Sequence, residues 1–298
     1  MSFLINAFRG FCMALADSVP GVSGGTIAFI LGFYDNFVNS LNDLIYGKKE
    51  EKKTALLFLI KLMSGWVIGM AIASVVLASL FEKEIYRISS LFLGFIIFAI
   101  PLIVKQEKEQ IKGKYINLIF TLIGIAIVAI ITYFNPVSGS EGNAVDVTNL
   151  SLGLGAYVFF AGMVAVSAMI LPGISGSTLL LIFGLYIPVI SAIKEILHLN
   201  LSYLPILIVF GIGIVTGVLL VIKLVKKALE KYRSQTIYTI LGLMLGSLYA
   251  IVMGPTTLEN PQAPLGLHTF SIIFFIIGAV VILGLEFIQN KLKDKIEE

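Results

Sequence analysis

Two strings in this chain carry hydroxyls and glycines in the same order: Ser23-Gly24-Gly25-Thr26 follows Pro20-Gly21, and Ser175-Gly176-Ser177-Thr178 follows Pro172-Gly173. Hydroxyl donors beside glycines, whose backbone can be approached closely, suit the binding of an anion where they open a helix. The first N–H groups of a helix lack partners, and the dipole is positive at that end. Ser18 extends the first string, and Arg9, about two turns earlier, offers a guanidinium to an anionic group. Asp17 stands three residues before Pro20, where a carboxyl can hold a proton, pair with Arg9 or cap a turn. Glu286 and Lys61 are two more charges inside apolar runs. Each lies close enough to the end of its run to snorkel, and either can also gate or carry a proton.

The surroundings of these residues are those of a bilayer protein. The 298 residues are 58% hydrophobic and 13% charged, with a mean hydropathy of +0.98. A soluble core cannot hide that much apolar surface. Apolar stretches at 55–80, 88–104, 115–134, 203–222, 236–253 and 270–288 each approach the ~20 residues that cross a ~30 Å hydrocarbon layer. Basic residues gather at 46–53, 105–114, 223–233 and 291–295, whereas 135–151 and 254–268 hold no Lys or Arg. The positive-inside rule makes the first group cytoplasmic, together with both termini, and the second external. The basic loops are thereby read as topology signals and not as a nucleic-acid surface. The opening residues lack a basic start and repeat in mid-chain, so they read as mature protein and not as a signal peptide.

Sliding the sequence against itself exposes a duplication. At an offset of 152, Gly10, Ala16, Pro20, Gly21, Ser23, Gly24, Thr26, Ile30, Gly32 and Tyr34 fall on Gly162, Ala168, Pro172, Gly173, Ser175, Gly176, Thr178, Ile182, Gly184 and Tyr186. After small shifts, Gly65 and Gly69 match Gly213 and Gly217, Gly94 matches Gly242, and Gly124 matches Gly278. Each half, 1–140 and 150–290, is a motif segment (3–45 and 152–195) followed by three spans. With the charge-derived topology the first half's spans run out, in and out, and the second half's run in, out and in. The expected fold is an all-α polytopic membrane protein of two inverted-topology repeats forming one integrated membrane domain. Inverted repeats of this kind build many secondary transporters, with the substrate site near the midplane.

Each motif segment is either a pair of full spans with a tight turn or a re-entrant hairpin. The Pro-Gly pair ends one arm and the Ser-Gly-x-Thr run caps the next, which favours the hairpin. Irregular backbone at membrane depth must be satisfied by protein or line a cavity, so two deep tips would aim their donors at one central space. The glycine pairs Gly65/Gly69, Gly213/Gly217 and Gly242/Gly246 read as helix contacts, and such pairs can also support a homodimer.

Several chemistries find no residues here. Cys12 is the single cysteine, which excludes an internal disulfide and a multi-cysteine metal site, and His198 and His268 have no second metal ligand at useful spacing. Walker, G-x-S-x-G and H-E-x-x-H patterns are missing, so no cofactor, metal or ATP site is expected and an enzyme is disfavoured.

The paired "SVPGVSGGT" and "ILPGISGST" strings resemble those of the bacterial PopT family, polyprenyl-phosphate translocases formerly catalogued as a membrane domain of unknown function. The resemblance covers essentially the whole chain. It implies return of undecaprenyl phosphate from the outer to the inner leaflet of the cytoplasmic membrane for reuse in cell-wall synthesis. Ser18 and the two Ser-Gly-x-Thr runs would hold the phosphate, Arg9 would neutralise it, Asp17 or Glu286 would carry a proton if one is coupled, and H+, Na+ or no ion would drive the step. The contrasting reading is an ion-coupled transporter of a small soluble anion. At offset 152 the counterparts of Arg9 and Asp17 are Ala161 and Met169, so neither charge is duplicated.

Overall fold

The protein is seen in a computed structural model that describes residues 3–17, 23–73, 78–133, 151–197, 199–257 and 261–297; the side chains of 78–83, 177, 181, 187, 190, 194, 197, 257, 285 and 288–297 are not among those described. The described chain is helical, without a strand. α1 (Phe3–Asp17), α2 (Gly24–Ile30) and α3 (Tyr34–Tyr46) form the first motif segment, and α8 (Leu152–Ile170), α9 (Gly176–Ile182) and α10 (Tyr186–Leu197) form the second. Between and after them lie α4 (Lys49–Ile72), α5 (Ala78–Gln106), α6 (Lys108–Ile111), α7 (Leu118–Tyr133), α11 (Leu204–Lys231), α12 (Arg233–Met253) and α13 (Ile272–Glu297).

Local chemistry sets many of these boundaries. Glu51 accepts the Lys48 N–H at 2.6 Å as α4 opens, and Ser151 accepts the Leu154 N–H at 3.1 Å as α8 opens. Both motif arms break at a glycine. Gly32 (φ 64°) and Gly184 (φ 62°) are left-handed, and the six-residue bonds Phe33 N–H to Ala28 C=O and Leu185 N–H to Leu180 C=O close the same terminator on α2 and α9. A side chain at either glycine would be strained, which is why the break recurs at the same place.

Four helix pairs pack closely through glycine. Gly10 meets the Leu62 carbonyl, Gly65 meets that of Ala7 and Gly69 that of Phe11, so α1 and α4 run parallel. The same three approaches recur for α8 and α11, as Gly162 with Phe210, Gly213 with Phe159 and Gly217 with Met163. Then the chain crosses over. Gly94 of α5 and Gly278 of α13 lie against Phe275 and Leu91, while Gly242 of α12 and Gly124 of α7 lie against Thr121 and Thr239. The glycine pairs expected to make helix contacts therefore make them within the chain. α7 and α12 are also joined by hydrogen bonds from Asn117 to Ser234 (2.8 Å) and from Thr121 to the Tyr238 carbonyl (2.9 Å).

Among the described residues six helices are long and apolar enough to cross a membrane: Lys49–Ile72, Glu84–Gln106, Tyr115–Tyr133, Leu152–Ile170, Leu201–Lys231 and Arg233–Thr256. Large apolar side chains such as Leu56, Ile60, Val67, Ile212, Val215 and Leu224 face outward, as lipid requires. The expected stretch 55–80 holds Ala55–Ile72 of α4 and the opening of α5 from Ala78, with 74–77 outside the described residues; α5 leaves helical geometry at Glu84 (φ −128°), where its membrane-length part, Glu84–Gln106, begins. The stretch 270–288 forms the first part of α13 (Ile272–Glu297), and the first arm of the second motif, Leu152–Ile170, is also long enough to cross.

Candidate functional site

α1 delivers Asp17 to the start of α2. One carboxylate oxygen accepts the Gly24 N–H at 2.6 Å and the other accepts the indole N–H of Trp66, on α4, at 3.0 Å. Ser23 is the N-cap of α2, its hydroxyl accepting the Thr26 N–H at 3.3 Å. Orphan amides at the start of α2 are thus met by two side chains, one from the cap position and one from the preceding helix. A Cβ on Gly24 would lie 2.7 Å from the Asp17 carboxylate, so the close approach depends on glycine. Ser18, Pro20 and Gly21 lie outside the described residues.

The second motif meets the first directly. After α8 ends, Leu171 is extended and Gly173 takes φ 90°. The Gly173 N–H donates to the Thr26 hydroxyl at 2.8 Å, the Ser23 hydroxyl donates to the Leu171 carbonyl at 3.2 Å, and the two hydroxyls are 3.3 Å apart. One assignment satisfies every group: Gly173 N–H to Thr26, Thr26 O–H to Ser23, Ser23 O–H to Leu171 C=O. Tyr34 adds a bond from its hydroxyl to the Ile170 carbonyl at 3.1 Å. Gly25 faces the same backbone, where an added Cβ would stand 2.9 Å from the Ile170 carbonyl oxygen. Ser175, Gly176 and Thr178, which follow Pro172 and Gly173 in the chain, are buried.

Arg9 is 8% exposed. Its guanidinium donates to Asn6 at 3.2 Å and lies 4.8 Å from the centre of the Phe33 ring, a spacing at which the ring face attracts a cation. Phe33, Tyr34 and Asp35 therefore each hold a different partner, because Asp35 accepts from Arg233 at 2.9 Å. Arg233 also grips Glu107 with two nitrogens, joining the start of α3, the start of α12 and the chain after α5. Glu286 lies on α13, which packs on α5 and carries neither tip. A separate cavity of about 320 Å³ opens between α3 and α4, lined by Ser40, Asp43, Glu50, Glu51, Thr54 and Ala55; its acidic wall does not suit an anion.

Of the residues singled out in the sequence, the structure brings Asp17 together with Gly24, and Ser23, Gly25 and Thr26 together with the chain at Ile170–Gly173; Ser175, Gly176 and Thr178 are buried, and Gly176 lies against Met169 and Ala165 of its own motif. Trp66, Tyr34 and Phe33 were not singled out. Trp66 follows Gly65 in a string that reads as a packing motif, and the repeated Gly32-x-Tyr34 and Gly184-x-Tyr186 were the signal for the arm break.

The sequence model of a family described as undecaprenyl phosphate translocase-like matches residues 13–269. A polyprenyl-phosphate transporter of Staphylococcus aureus is 35% identical over 282 residues, which is 94% of this chain and 95% of the relative. A polyprenyl-phosphate transporter of Vibrio cholerae serotype O1 is 34% identical over 259 residues, 83% of this chain and 77% of the relative. No solved structure matches the chain. Both relatives are transporters and not enzymes, and the match runs through both motif segments: the chain belongs to the undecaprenyl phosphate translocase-like family.

Proposed function

We propose that this protein moves a polyprenyl phosphate across the bacterial cytoplasmic membrane, with the phosphate head bound at the two motif tips and the isoprenoid tail left in lipid. The observation that carries the reading is the junction itself, where Thr26 meets Gly173 and Ser23 meets Leu171. These groups lie far apart in sequence yet satisfy one another. An anionic head, which is rich in acceptors, competes for the same N–H and O–H donors, so the junction must open to admit it and can reform behind it. Arg9 balances the head's charge from about two turns before Asp17 on α1.

The finer reading is return of undecaprenyl phosphate from the outer to the inner leaflet by alternating access of two inverted repeats, with both termini cytoplasmic. The matched glycine contacts of α1/α4 and α8/α11 support the repeats. Tip depth is supported by Trp66, eleven residues beyond Ala55, where the apolar part of α4 begins. At ~1.5 Å per residue that is ~16 Å, about half of the hydrocarbon layer. Asp17 is the group we assign to proton coupling. A phosphate monoester loses its second proton near pH ~6, so one proton also changes the charge of the cargo.

Liposomes carrying undecaprenyl phosphate and the purified protein test the proposal, with an impermeant probe reading outward-facing phosphate over time. Rapid equilibration that is lost in Arg9→Ala and in Ser23→Ala/Ser175→Ala is the expected result. Wild-type liposomes that match empty ones, with a proton gradient of either sign, would overturn it and leave transport of a small soluble anion as the better reading.

A further inference from the structure

Asp17 is held by one donor from its own hairpin and one from a different helix. Its two oxygens accept from the Gly24 N–H, at 2.6 Å, and from the Trp66 indole N–H, at 3.0 Å. Among the described residues each oxygen accepts from one N–H, and the carboxylate spans the gap between α2 and α4. That arrangement suits the ionised acid best: a proton on one oxygen makes that oxygen a weaker acceptor and adds an O–H that has no acceptor in the pair, so protonation weakens one of the two bonds.

The groups around this pair are few. On α1 the other titratable side chains are Arg9, which is engaged with Asn6 and Phe33, and Cys12. α2 has none, and on α4 the nearest charge is Lys61, more than one turn before Trp66. Asp17 is of intermediate burial. Trp66 is also the single tryptophan of the chain. Its neighbours Gly65 and Gly69 lock α4 against α1 through backbone contacts at Ala7 and Phe11, so the indole is presented at a fixed height beside the tip.

We propose that Trp66 is a positioning residue for translocation: its indole N–H fixes the Asp17 carboxylate against the first amide of α2, and a proton taken up by Asp17 frees the first tip from α4. The inference rests on the reading of Asp17 as the proton-coupling group. It adds the element that senses the proton, α4, and the bond through which the sensing occurs. Because the first tip is the one whose Ser23 and Thr26 close the junction with the second, loosening it at Asp17 loosens the junction as well.

The single tryptophan makes the test direct. Protein labelled with 15N-tryptophan gives one indole N–H resonance, which is followed across a pH series in wild type and in Asp17→Asn. The expected result is a resonance that titrates in wild type, sits elsewhere in Asp17→Asn and no longer moves with pH there. Trp66→Phe, and the isosteric replacement of Trp66 by benzothienylalanine, which has sulfur in place of N–H, should each slow undecaprenyl phosphate translocation about tenfold, the loss expected for one hydrogen bond to a charged group. The benzothienyl protein keeps the shape of the ring, so it separates the bond from packing. An indole resonance identical in wild type and Asp17→Asn at every pH overturns the proposal, as does a benzothienyl protein that translocates at the wild-type rate. Failure of wild type to move the lipid at all would sink the substrate reading, while the resonance still decides whether Trp66 senses Asp17.

Discussion

Thr26 and Gly173 stand 147 residues apart in the chain and share a 2.8 Å hydrogen bond, with the backbone of one motif donating to the side chain of the other. Thr26→Val keeps the shape but leaves a buried N–H without its acceptor. A loss of about 1–2 kcal/mol is expected, near the upper end for hydrogen bonds inside membranes. Thermal unfolding in detergent should show a lower midpoint for Thr26→Val, with Thr26→Ser close to wild type.

Gly25→Ala tests the closeness of the tips rather than their bonding. The added methyl would stand 2.9 Å from the Ile170 carbonyl oxygen and 3.2 Å from Leu171 backbone atoms, so the two tips must separate by a few tenths of an ångström. Translocation in liposomes should fall about tenfold or more if the junction has to close in each cycle. A variant that folds and moves lipid at the wild-type rate would show that the close approach is dispensable.

Gly24→Ala acts on Asp17, whose carboxylate lies 2.7 Å from the position of the new methyl. Gly24→Ala and Asp17→Asn disturb one contact, so their effects should not add. The double variant is expected to translocate within about twofold of the slower single variant, measured in the same liposome assay.

Arg233 holds Glu107 through two nitrogens and Asp35 through a third. All three side chains keep some exposure, at 32%, 16% and 45%, so each pair is worth no more than about 1 kcal/mol. Arg233→Ala should lower stability by roughly 1–2 kcal/mol, and 0.5 M salt should shrink the difference. Arg233→Lys keeps the charge but not the fork, and should recover less than half of the loss in the same unfolding experiment.

The parts of this fold that were legible in the sequence are those where residue type dictates backbone behaviour. Proline, glycine and capping hydroxyls marked both motif segments, and spaced glycines marked the helix contacts, because those types do jobs that few others can do. What stayed hidden depends on distant partners. Nothing in the apolar run around Trp66 points to Asp17, 49 residues earlier, and Phe33 and Tyr34 look like ordinary apolar positions until Arg9 and Ile170 are placed beside them. The Asp35–Arg233–Glu107 cluster joins charges from the first turn of α3, the first residue of α12 and the chain after α5, each of which alone reads as a surface charge.

The pairing of α5 with α13 and of α7 with α12 has a consequence for biosynthesis. Gly94 and Gly124 present bare backbone grooves that are filled only by residues near Phe275 and Thr239. A ribosome making this chain delivers α5 and α7 to the membrane well before either partner exists. The early helices must wait in lipid, and α13 completes a pair whose first member was made long before it. A chain cut short before α13 thus has its defect at α5, far from the cut in sequence.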